Sequence, residues 1–388
     1  MGDKKRFETR AIHAGNKPDE STGAVSPPIH FTSTYQQESV GQHKGFDYSR
    51  AENAARQRYE ENQASLEGGK YGIAFASGMA ATTALFQTLE QGDHVIIGRN
   101  VYGGTYRMAV EILSNHGFQF DFVDTRYLNQ IEDAIQPNTK WIFVETPTNP
   151  LLELCDIKST AKLCQTHGIK LAVDNTFMSP YGQNPLALGA TLVLHSATKF
   201  IGGHSDVIGG ALITNEKDLA DQLYFIQKSA GAVPSPFDCW MLLRSTKTLA
   251  LRVQKQSDNA LDLAHRLESN SQIRSMRYPG LKSHPQHDLV KKQQLNPEGI
   301  PIFGSIISFE LESVNARDQF LSKIKLFTLA ESLGGVESLV CIPYEMTHGS
   351  VPPVMKKKMG LSKKLIRLSV GIEHVDDLYD DITQSLFH

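Results

Sequence analysis

Short runs of apolar residues recur along the first two thirds of the chain, and most of them are followed by a segment with helical spacing. Runs of four to six apolar residues that alternate with helices are typical of a mainly parallel sheet covered on both faces. The pattern therefore predicts an α/β protein. The predicted strands lie at residues 73–76, 94–97, 120–123, 141–144, 171–173, 192–194 and 210–214.

The pattern changes at both ends of the chain. Residues 1–50 are rich in Pro, Ser, Thr and Gly, which predicts an extended arm that is either disordered or wrapped around a partner subunit. Residues 240–269 lack Gly and Pro and carry leucines at helical spacing, which predicts one long or kinked helix. Further strands at 305–311 and 366–370 and a helix at 375–386 predict a smaller α/β unit. We expect an arm (1–50), a large domain (51–240), and a linking helix with a small domain (241–388).

The composition is that of an ordinary globular protein. The chain has 388 residues, of which 40% are hydrophobic and 21% are charged. Its formal net charge of −3 argues against nucleic acid or an anionic membrane as the main partner. There is no apolar run of ~18 residues and no apolar stretch at the N-terminus, so we expect a cytoplasmic protein that neither spans a membrane nor carries a secretory signal.

Cysteines and a basic run add little chemistry. Cys155, Cys164, Cys239 and Cys341 form no Cys-x-x-Cys pair, so a zinc or redox motif is not supported. We expect buried structural thiols in a reducing compartment. We interpret the run at 356–358 (KKK) as the solvated face of a helix.

The most informative segment is Ser196-Ala197-Thr198-Lys199, which follows the apolar strand at 192–194 and precedes a glycine turn. The carboxyl ends of sheet strands are where α/β proteins bind their ligands. The hydroxyls of Ser196 and Thr198 could hold a phosphate while the lysine amine reaches an aldehyde, as a pyridoxal 5'-phosphate (PLP) Schiff base requires. The alternative is a surface lysine in a loop.

Two other segments end or follow predicted strands. Asp174 ends the strand at 171–173, and its possible partners are a PLP pyridinium nitrogen, a helix N-terminus or a metal. No acid–histidine cluster lies nearby, so we expect no metal. Ser77-Gly78-Met79 opens a helix whose N–H groups could bind a phosphate. The chain has no Gly-x-Gly-x-x-Gly and no Walker lysine motif, which disfavours dinucleotide and P-loop sites.

Together these segments resemble the Cys/Met-metabolism PLP-dependent enzymes, the trans-sulfuration family, and within it the cystathionine γ-lyases and γ-synthases. The resemblance covers nearly the whole chain and implies the fold type I of PLP-dependent transferases, which is aspartate-aminotransferase-like. The matching segments are 45–50 (GFDYSR), 93–95 (DHV), 101–107 (VYGGTYR), 145–150 (ETPTNP), 174–177 (DNTF), 196–199 (SATK), 329–338 (LAESLGGVES), 346–348 (MTH) and 366–373 (IRLSVGIE).

The resemblance implies a role for each residue of a PLP site. Lys199 corresponds to the Schiff-base lysine, which also moves protons between Cα, Cβ and Cγ of the substrate. Asp174 corresponds to the partner of the pyridine nitrogen, and Tyr102 to the tyrosine that stacks on the ring and assists proton transfer; a core tyrosine is the alternative for Tyr102. The implied phosphate ligands are Gly78, Met79, Ser196 and Thr198, together with Tyr48 and Arg50 from the neighbouring subunit.

The resemblance also implies a substrate site. Arg367 corresponds to the arginine that binds the α-carboxylate, with a structural salt bridge as the alternative, and Asn149 lies near the ring hydroxyl of the cofactor. Glu331, just before Ser332, corresponds to the glutamate that holds the distal amino group. An aspartate at position 47 favours the γ-synthases, and Arg107 would contact a distal carboxylate. The implied substrate-binding set is therefore Asn149, Arg367, Ser332, Glu331, Asp47 and Arg107. A solvated surface acid is the alternative for Asp47 and Glu331.

One segment departs from the family pattern. The family usually has Asn-Pro-Thr-Arg where this chain has Asn53-Ala54-Ala55-Arg56. Pro favours the first helical turn and Thr can cap a helix, so we expect the start of the following helix to differ.

The resemblance finally implies a reaction and an assembly. The sequences of segments 231–238 and 278–287 resemble those of γ-lyases. We therefore expect γ-elimination of L-cystathionine to L-cysteine, 2-oxobutanoate and ammonia. We expect a homotetramer, a dimer of dimers that share active sites. The alternatives are a γ-synthase acting on O-succinyl- or O-acetylhomoserine with cysteine, a cystathionine β-lyase, or a non-catalytic PLP-fold binding protein.

Overall fold

The large sheet has the predicted α/β architecture. The structure, a computed structural model, describes residues 5–349 and 351–386. The strands of this sheet are β1 (Tyr71–Phe75), β2 (His94–Gly98), β3 (Gln119–Val123), β4 (Thr139–Glu145), β5 (Lys170–Asp174), β6 (Leu192–Ser196) and β7 (Gly210–Thr214). They lie in the order β1-β7-β6-β5-β4-β2-β3. All pairings are parallel except those of β7, which runs antiparallel to both β1 and β6.

A second, smaller sheet follows in the chain. Its strands are β8 (Ile273–Arg277), β9 (Ile306–Leu311), β10 (Thr328–Leu329), β11 (Leu339–Cys341) and β12 (Leu365–Ser369), in the order β10-β11-β12-β9-β8. The strands predicted at 305–311 and 366–370 are confirmed as β9 and β12. Strands β8 and β10 escaped prediction because they are short or partly exposed and carry no continuous apolar run. Strand β11 is buried but has only three residues, too few to show a period.

Helices surround both sheets. They are α1 (Phe7–His13), α2 (Ala54–Glu67), α3 (Gly78–Phe86), α4 (Gly103–Arg107), α5 (Leu128–Asp133), α6 (Ile157–His167), α7 (Ser179–Gly182), α8 (Lys217–Ala230), α9 (Pro236–Thr246), α10 (Leu249–Leu267), α11 (His287–Gln293), α12 (Val314–Lys323), α13 (Pro353–Lys358) and α14 (Val375–Leu386). None of these helices is long and apolar enough to cross a bilayer.

Successive residues of the central strands face two separate cores. Ile97 and Phe143 pack in the core that contains Phe86 of α3, whereas Ile96 and Ile142 pack in the core that contains α6. Because both faces of the sheet are buried, the strands lose the alternation of apolar and polar residues and become continuous apolar runs. The predicted sheet is confirmed for this reason.

The segment predicted as one long or kinked helix at 240–269 forms two helices, α9 and α10, with a break at 247–248. Arg252 of α10 is buried, and its Nη2 atom donates to the carbonyl of Ser245 near the end of α9, at 3.0 Å. A helix end leaves carbonyl groups without partners inside the helix, and this guanidinium bonds one of them. The apolar pattern could not reveal a break that a buried side chain stabilises.

The arm begins with a helix that was not predicted. The Phe7 side chain of α1 is only 3% exposed, and its ring lies 5.4 Å from that of Tyr181 in an edge-on arrangement. Seven residues are too few to show a helical period. Between α1 and α2, the described chain is extended, with isolated bridges such as that between Thr34 and Tyr48.

The departure from the family pattern leaves the start of α2 capped. The Oδ1 atom of Asn53 accepts a hydrogen bond from the N–H of Ala55 at 2.9 Å. Arg56 is buried, and its Nη1 atom donates to the carbonyl of Ser49 at 2.8 Å. The asparagine therefore supplies a cap that does not require the missing threonine.

The predicted burial of the four cysteines is confirmed, and the prediction for the basic run is wrong at one position. All four cysteines are buried and unpaired, and burial raises the pKa of Cys155 to about 12, which makes its thiol inert. Lys356, predicted to be solvated, is only 5% exposed. Its Nζ atom donates to the carbonyls of Tyr344 at 2.8 Å and Gly349 at 3.2 Å. Lys357 and Lys358 are exposed as expected.

Candidate active site

The carboxyl ends of three parallel strands meet at one edge of the large sheet. Glu145 ends β4 and lies opposite Asp174, which ends β5, and β6 ends beside them at Ser196. Ligands of open α/β sheets bind at this edge. A cavity opens there and brings together most of the predicted site residues: Gly78, Met79, Tyr102, Asn149, Asp174, Ser196, Thr198, Lys199, Glu331, Ser332 and Arg367.

One end of the cavity is rich in hydrogen-bond donors. Helix α3 begins at Gly78, where a β-carbon would lie 2.8 Å from the Cβ atom of Ser196. A β-carbon at Gly210 would collide with the carbonyl oxygen of Ser77. These two glycines thus let the start of α3 approach the ends of β6 and β7. The first N–H groups of α3 and the hydroxyls of Ser196 and Thr198 form a donor set that suits a phosphate.

The amine of Lys199 lies inside the cavity. Its Nζ atom donates to the Oγ atom of Ser332 at 2.9 Å. Burial and the positive charge of Arg367 lower the pKa of Lys199 to about 8, and the charge of Glu331 opposes this shift. An amine with this pKa is partly neutral near pH 7 and can act as a nucleophile or a base.

Ser332 has an unusual backbone conformation. Its φ angle is +85°, in the left-handed region that non-glycine residues seldom adopt. In this conformation its hydroxyl accepts from Lys199 while its carbonyl accepts from the Nη2 atom of Arg367 at 2.7 Å. Backbone strain of this kind is frequent at functional sites.

Two carboxyl groups lie side by side at the sheet edge. Burial raises the pKa of Asp174, while a hydrogen bond from the N–H of Thr176 at 3.0 Å and the charge of His195 oppose the shift. Burial and the neighbouring Asp174 raise the pKa of Glu145 to about 8. Such a pair favours a cation next to it, and a protonated pyridine nitrogen is one.

Arg367 is a buried cation on β12 and is only 2% exposed. Its Nη1 atom donates to the Oδ1 atom of Asn149 at 2.9 Å, and its Nη2 atom to the carbonyl of Ser332. Both acceptors are uncharged, and the Nε atom has no hydrogen-bond partner among the described residues. A buried guanidinium in this state fits a ligand that supplies a carboxylate.

Four predicted site residues are absent from the described lining of this cavity: Asp47, Tyr48, Arg50 and Arg107. Tyr48 is 45% exposed, and the Arg50 guanidinium lies over its ring at 5.4 Å. Arg50 also donates to the carbonyl of Lys228 at 2.5 Å. Asp47 is exposed in the arm, and Arg107 is exposed at the end of α4.

Glu145, Thr176 and Thr347 are among the lining residues to which the sequence gave no role. Thr176 accepts a hydrogen bond from the N–H of Ser196 at 2.8 Å and so connects the ends of β5 and β6. All three lie within segments that carried the family resemblance, at 145–150, 174–177 and 346–348. That position was the available signal, but their contacts depend on the tertiary structure.

The cavity as a whole fits PLP. It combines phosphate donors at the start of α3, an acid for a pyridine nitrogen at the end of β5, and an amine of lowered pKa, Lys199. The glycine at position 78 lets the first turn of α3 approach Ser196, so that the N–H groups and the hydroxyl belong to one donor set. These features are properties of the chain's own residues.

Comparisons with known proteins agree with this geometry. A family model described as "Cys/Met metabolism PLP-dependent enzyme" matches residues 8–387. The chain is 48% identical to the cystathionine γ-lyase of Bacillus subtilis and 47% identical to a cystathionine β-lyase of Lactococcus lactis, in each case over 98% of both chains. The crystal structure of cystathionine γ-lyase from Lactobacillus plantarum complexed with L-serine has a TM-score of 0.95 and 44% identity, and the match covers 98% of each chain. The chain therefore belongs to the Cys/Met-metabolism PLP-dependent enzymes, and its cofactor is pyridoxal 5'-phosphate.

Proposed function

We propose that this protein is a cystathionine γ-lyase, which converts L-cystathionine and water into L-cysteine, 2-oxobutanoate and ammonia. The observation that carries the proposal is the pairing of two groups in one cavity. Lys199 has an amine whose pKa is lowered to about 8, and Arg367 is a buried cation whose Nε atom meets no hydrogen-bond partner in the part of the chain that the structure describes. A base and a carboxylate anchor are what an amino-acid lyase requires.

The cofactor would be held by residues at both ends of the cavity. We assign Asp174 to the pyridine nitrogen and Tyr102 to the face of the ring. Gly78, Met79, Ser196 and Thr198 are assigned to the phosphate. When bound, PLP withdraws electrons from the substrate Cα, so that protons at Cα and then at Cβ can be removed.

The chain's own side chains then bind and deprotonate the substrate. Arg367 holds the α-carboxylate through its planar fork, and Asn149 and Ser332 fix the guanidinium through the hydrogen bonds described above. Lys199 takes the proton from Cα and moves protons at Cβ and Cγ, because its amine is partly neutral near pH 7. Departure of sulfur from Cγ releases cysteine.

The distal part of the substrate would meet charged groups. Glu331 lines the cavity and is exposed, so its carboxylate can pair with the second ammonium of cystathionine. We assign Arg107 to the distal carboxylate. The relatives named γ-lyase and β-lyase are nearly equally similar, so the preference for γ-elimination rests on the resemblance of segments 231–238 and 278–287.

We also propose that active sites are shared between subunits of a homotetramer. Tyr48 and Arg50 are exposed and lie outside the cavity of their own chain, which leaves them available to a neighbour. We place the enzyme in the cytoplasm, in line with its four unpaired cysteines. The proposed boundaries remain an arm to residue 50 and a large domain to residue 240.

The test uses purified protein loaded with PLP. It is given L-cystathionine alone and, separately, O-succinyl- or O-acetylhomoserine with cysteine, and the products are followed by mass spectrometry. 2-Oxobutanoate and cysteine from cystathionine support the proposal, and Lys199→Ala should abolish their formation while Lys282→Ala, at an exposed lysine, should not. Pyruvate with homocysteine would indicate a β-lyase. Accumulation of cystathionine from the acylated homoserine would indicate a γ-synthase, and a colourless protein without turnover a binding protein.

A further inference from the structure

Glu145 makes contacts that join two separate segments of the cavity wall. It ends β4 and is 5% exposed. Its Oε1 atom accepts from the N–H of Asn149 at 2.8 Å, and its Oε2 atom accepts from the N–H of Tyr102 at 2.9 Å. Both oxygens of one carboxylate are therefore occupied by main-chain donors from either side of the site.

The two donors belong to residues with different tasks. Tyr102 immediately precedes α4, and its bond to Glu145 fixes the main chain that carries its ring. Asn149 uses its side chain to accept from Arg367. A change in the position of Glu145 would consequently move the tyrosine ring and the arginine fork relative to each other.

Opposing effects act on the charge of Glu145, and its two N–H donors favour the ionised form. Burial and the carboxyl of Asp174 raise the pKa of Glu145 to about 8, whereas the two N–H donors and Arg367 oppose that shift. The neighbouring His195 opposes the rise in the pKa of Asp174. Two N–H donors are best accepted by an ionised carboxylate, because a protonated carboxyl or an amide has a single strong acceptor.

We propose that Glu145 is a positioning residue: its carboxylate fixes the position of the Tyr102 ring relative to the Asn149–Arg367 pair in the PLP site. The role concerns the holding of cofactor and substrate, and it applies whichever bond the enzyme cleaves. Glu145→Gln tests it, because the amide retains one acceptor and turns a donor towards the second N–H.

Glu60 offers a matched control. It is also buried, its Oε1 atom accepts from the N–H of Ala74 and from Gln227, both at 2.9 Å, and burial raises its pKa. It does not line the cavity. Glu60→Gln therefore reports what the loss of a buried carboxylate does to the fold alone.

The measurements are made on the holoenzyme: visible circular dichroism of bound PLP, the dissociation constant of PLP, and the steady-state constants for L-cystathionine. We expect Glu145→Gln to lose most of the visible ellipticity, to weaken PLP binding about 10-fold and to lower kcat/KM about 10- to 100-fold with a raised KM. Glu60→Gln should change thermal stability while its ellipticity and KM stay at wild-type values.

A second substitution keeps the test decisive. Glu145→Asp retains both oxygens and the charge but withdraws them by one methylene, so it should show the same spectroscopic loss even if the glutamine variant fails to fold. Wild-type ellipticity and KM in a folded Glu145 variant, with only reduced stability as in Glu60→Gln, would overturn the proposal. The dichroism and the PLP affinity do not depend on which products form, so this failure is distinguishable from a wrong assignment of the reaction.

Discussion

Replacement of Lys199 by methionine should stabilise the protein freed of PLP while removing its activity. Methionine has a similar length but no charge, and the ammonium of Lys199 is largely withdrawn from water. The pKa of Lys199 falls from 10.5 to about 8. At ~1.4 kcal/mol per pH unit, burial costs the charged form about 3 kcal/mol, and loss of the hydrogen bond to Ser332 offsets about 1 kcal/mol of the gain. The expected increase in the free energy of unfolding at pH 7 is about 2 kcal/mol.

The dependence of the free energy of unfolding on pH tests independently whether the charged Lys199 destabilises the folded protein. The folded protein loses the Lys199 proton at a lower pH than the unfolded chain does, so between about pH 8 and 10.5 the unfolded chain binds more protons. Wild-type stability should therefore rise across this window relative to Lys199→Met. The advantage of Lys199→Met over the wild type has its largest value below pH 8, and it should shrink by about 2 kcal/mol between pH 7 and pH 9.5.

The assay is urea unfolding of the cofactor-free proteins at equal concentration and at both pH values. Lys282→Met, at an exposed lysine, is the control and should show no comparable pH-dependent difference. The reasoning is refuted if Lys199→Met is no more stable than the wild type at pH 7, or if its advantage is the same at both pH values. Such a trade of stability for a reactive amine is common at active sites.

Two further substitutions test the surroundings of the site. Lys356→Met removes the ammonium that bonds the carbonyls of Tyr344 and Gly349, so it should lower the free energy of unfolding by about 1–3 kcal/mol in thermal or urea denaturation. Lys357→Met, on the exposed side of the same helix, should have little effect. Equal effects of the two substitutions would contradict the structural role of Lys356. Arg50→Ala should weaken PLP retention in dialysis followed by absorbance if Arg50 reaches the cofactor of a neighbouring subunit, and an unchanged PLP affinity would exclude that role.

The positions of the large-sheet strands along the chain and the position of the lysine could be predicted because they depend on local pattern. Strands buried on both faces become apolar runs, and the ends of these runs are marked by polar residues such as Asp174 and Ser196. Short or exposed strands such as β10 have no such pattern, and the helix that carries Phe7 is too short to show one. The break between α9 and α10 is stabilised by Arg252, whose buried guanidinium also bonds the carbonyls of Phe200 and Ile201, contacts that no local pattern specifies.

The fold class, the family resemblance and the candidate residues for binding PLP could all be predicted from the motifs and the apolar pattern of the chain. The tertiary structure decided which of them meet in one cavity, because Lys199, Ser332 and Arg367 are distant in the chain and approach only when the two sheets pack together. It also decided the charge states, since the lowered pKa of Lys199 and the raised pKa of Glu145 arise from burial and from neighbours that no local pattern specifies.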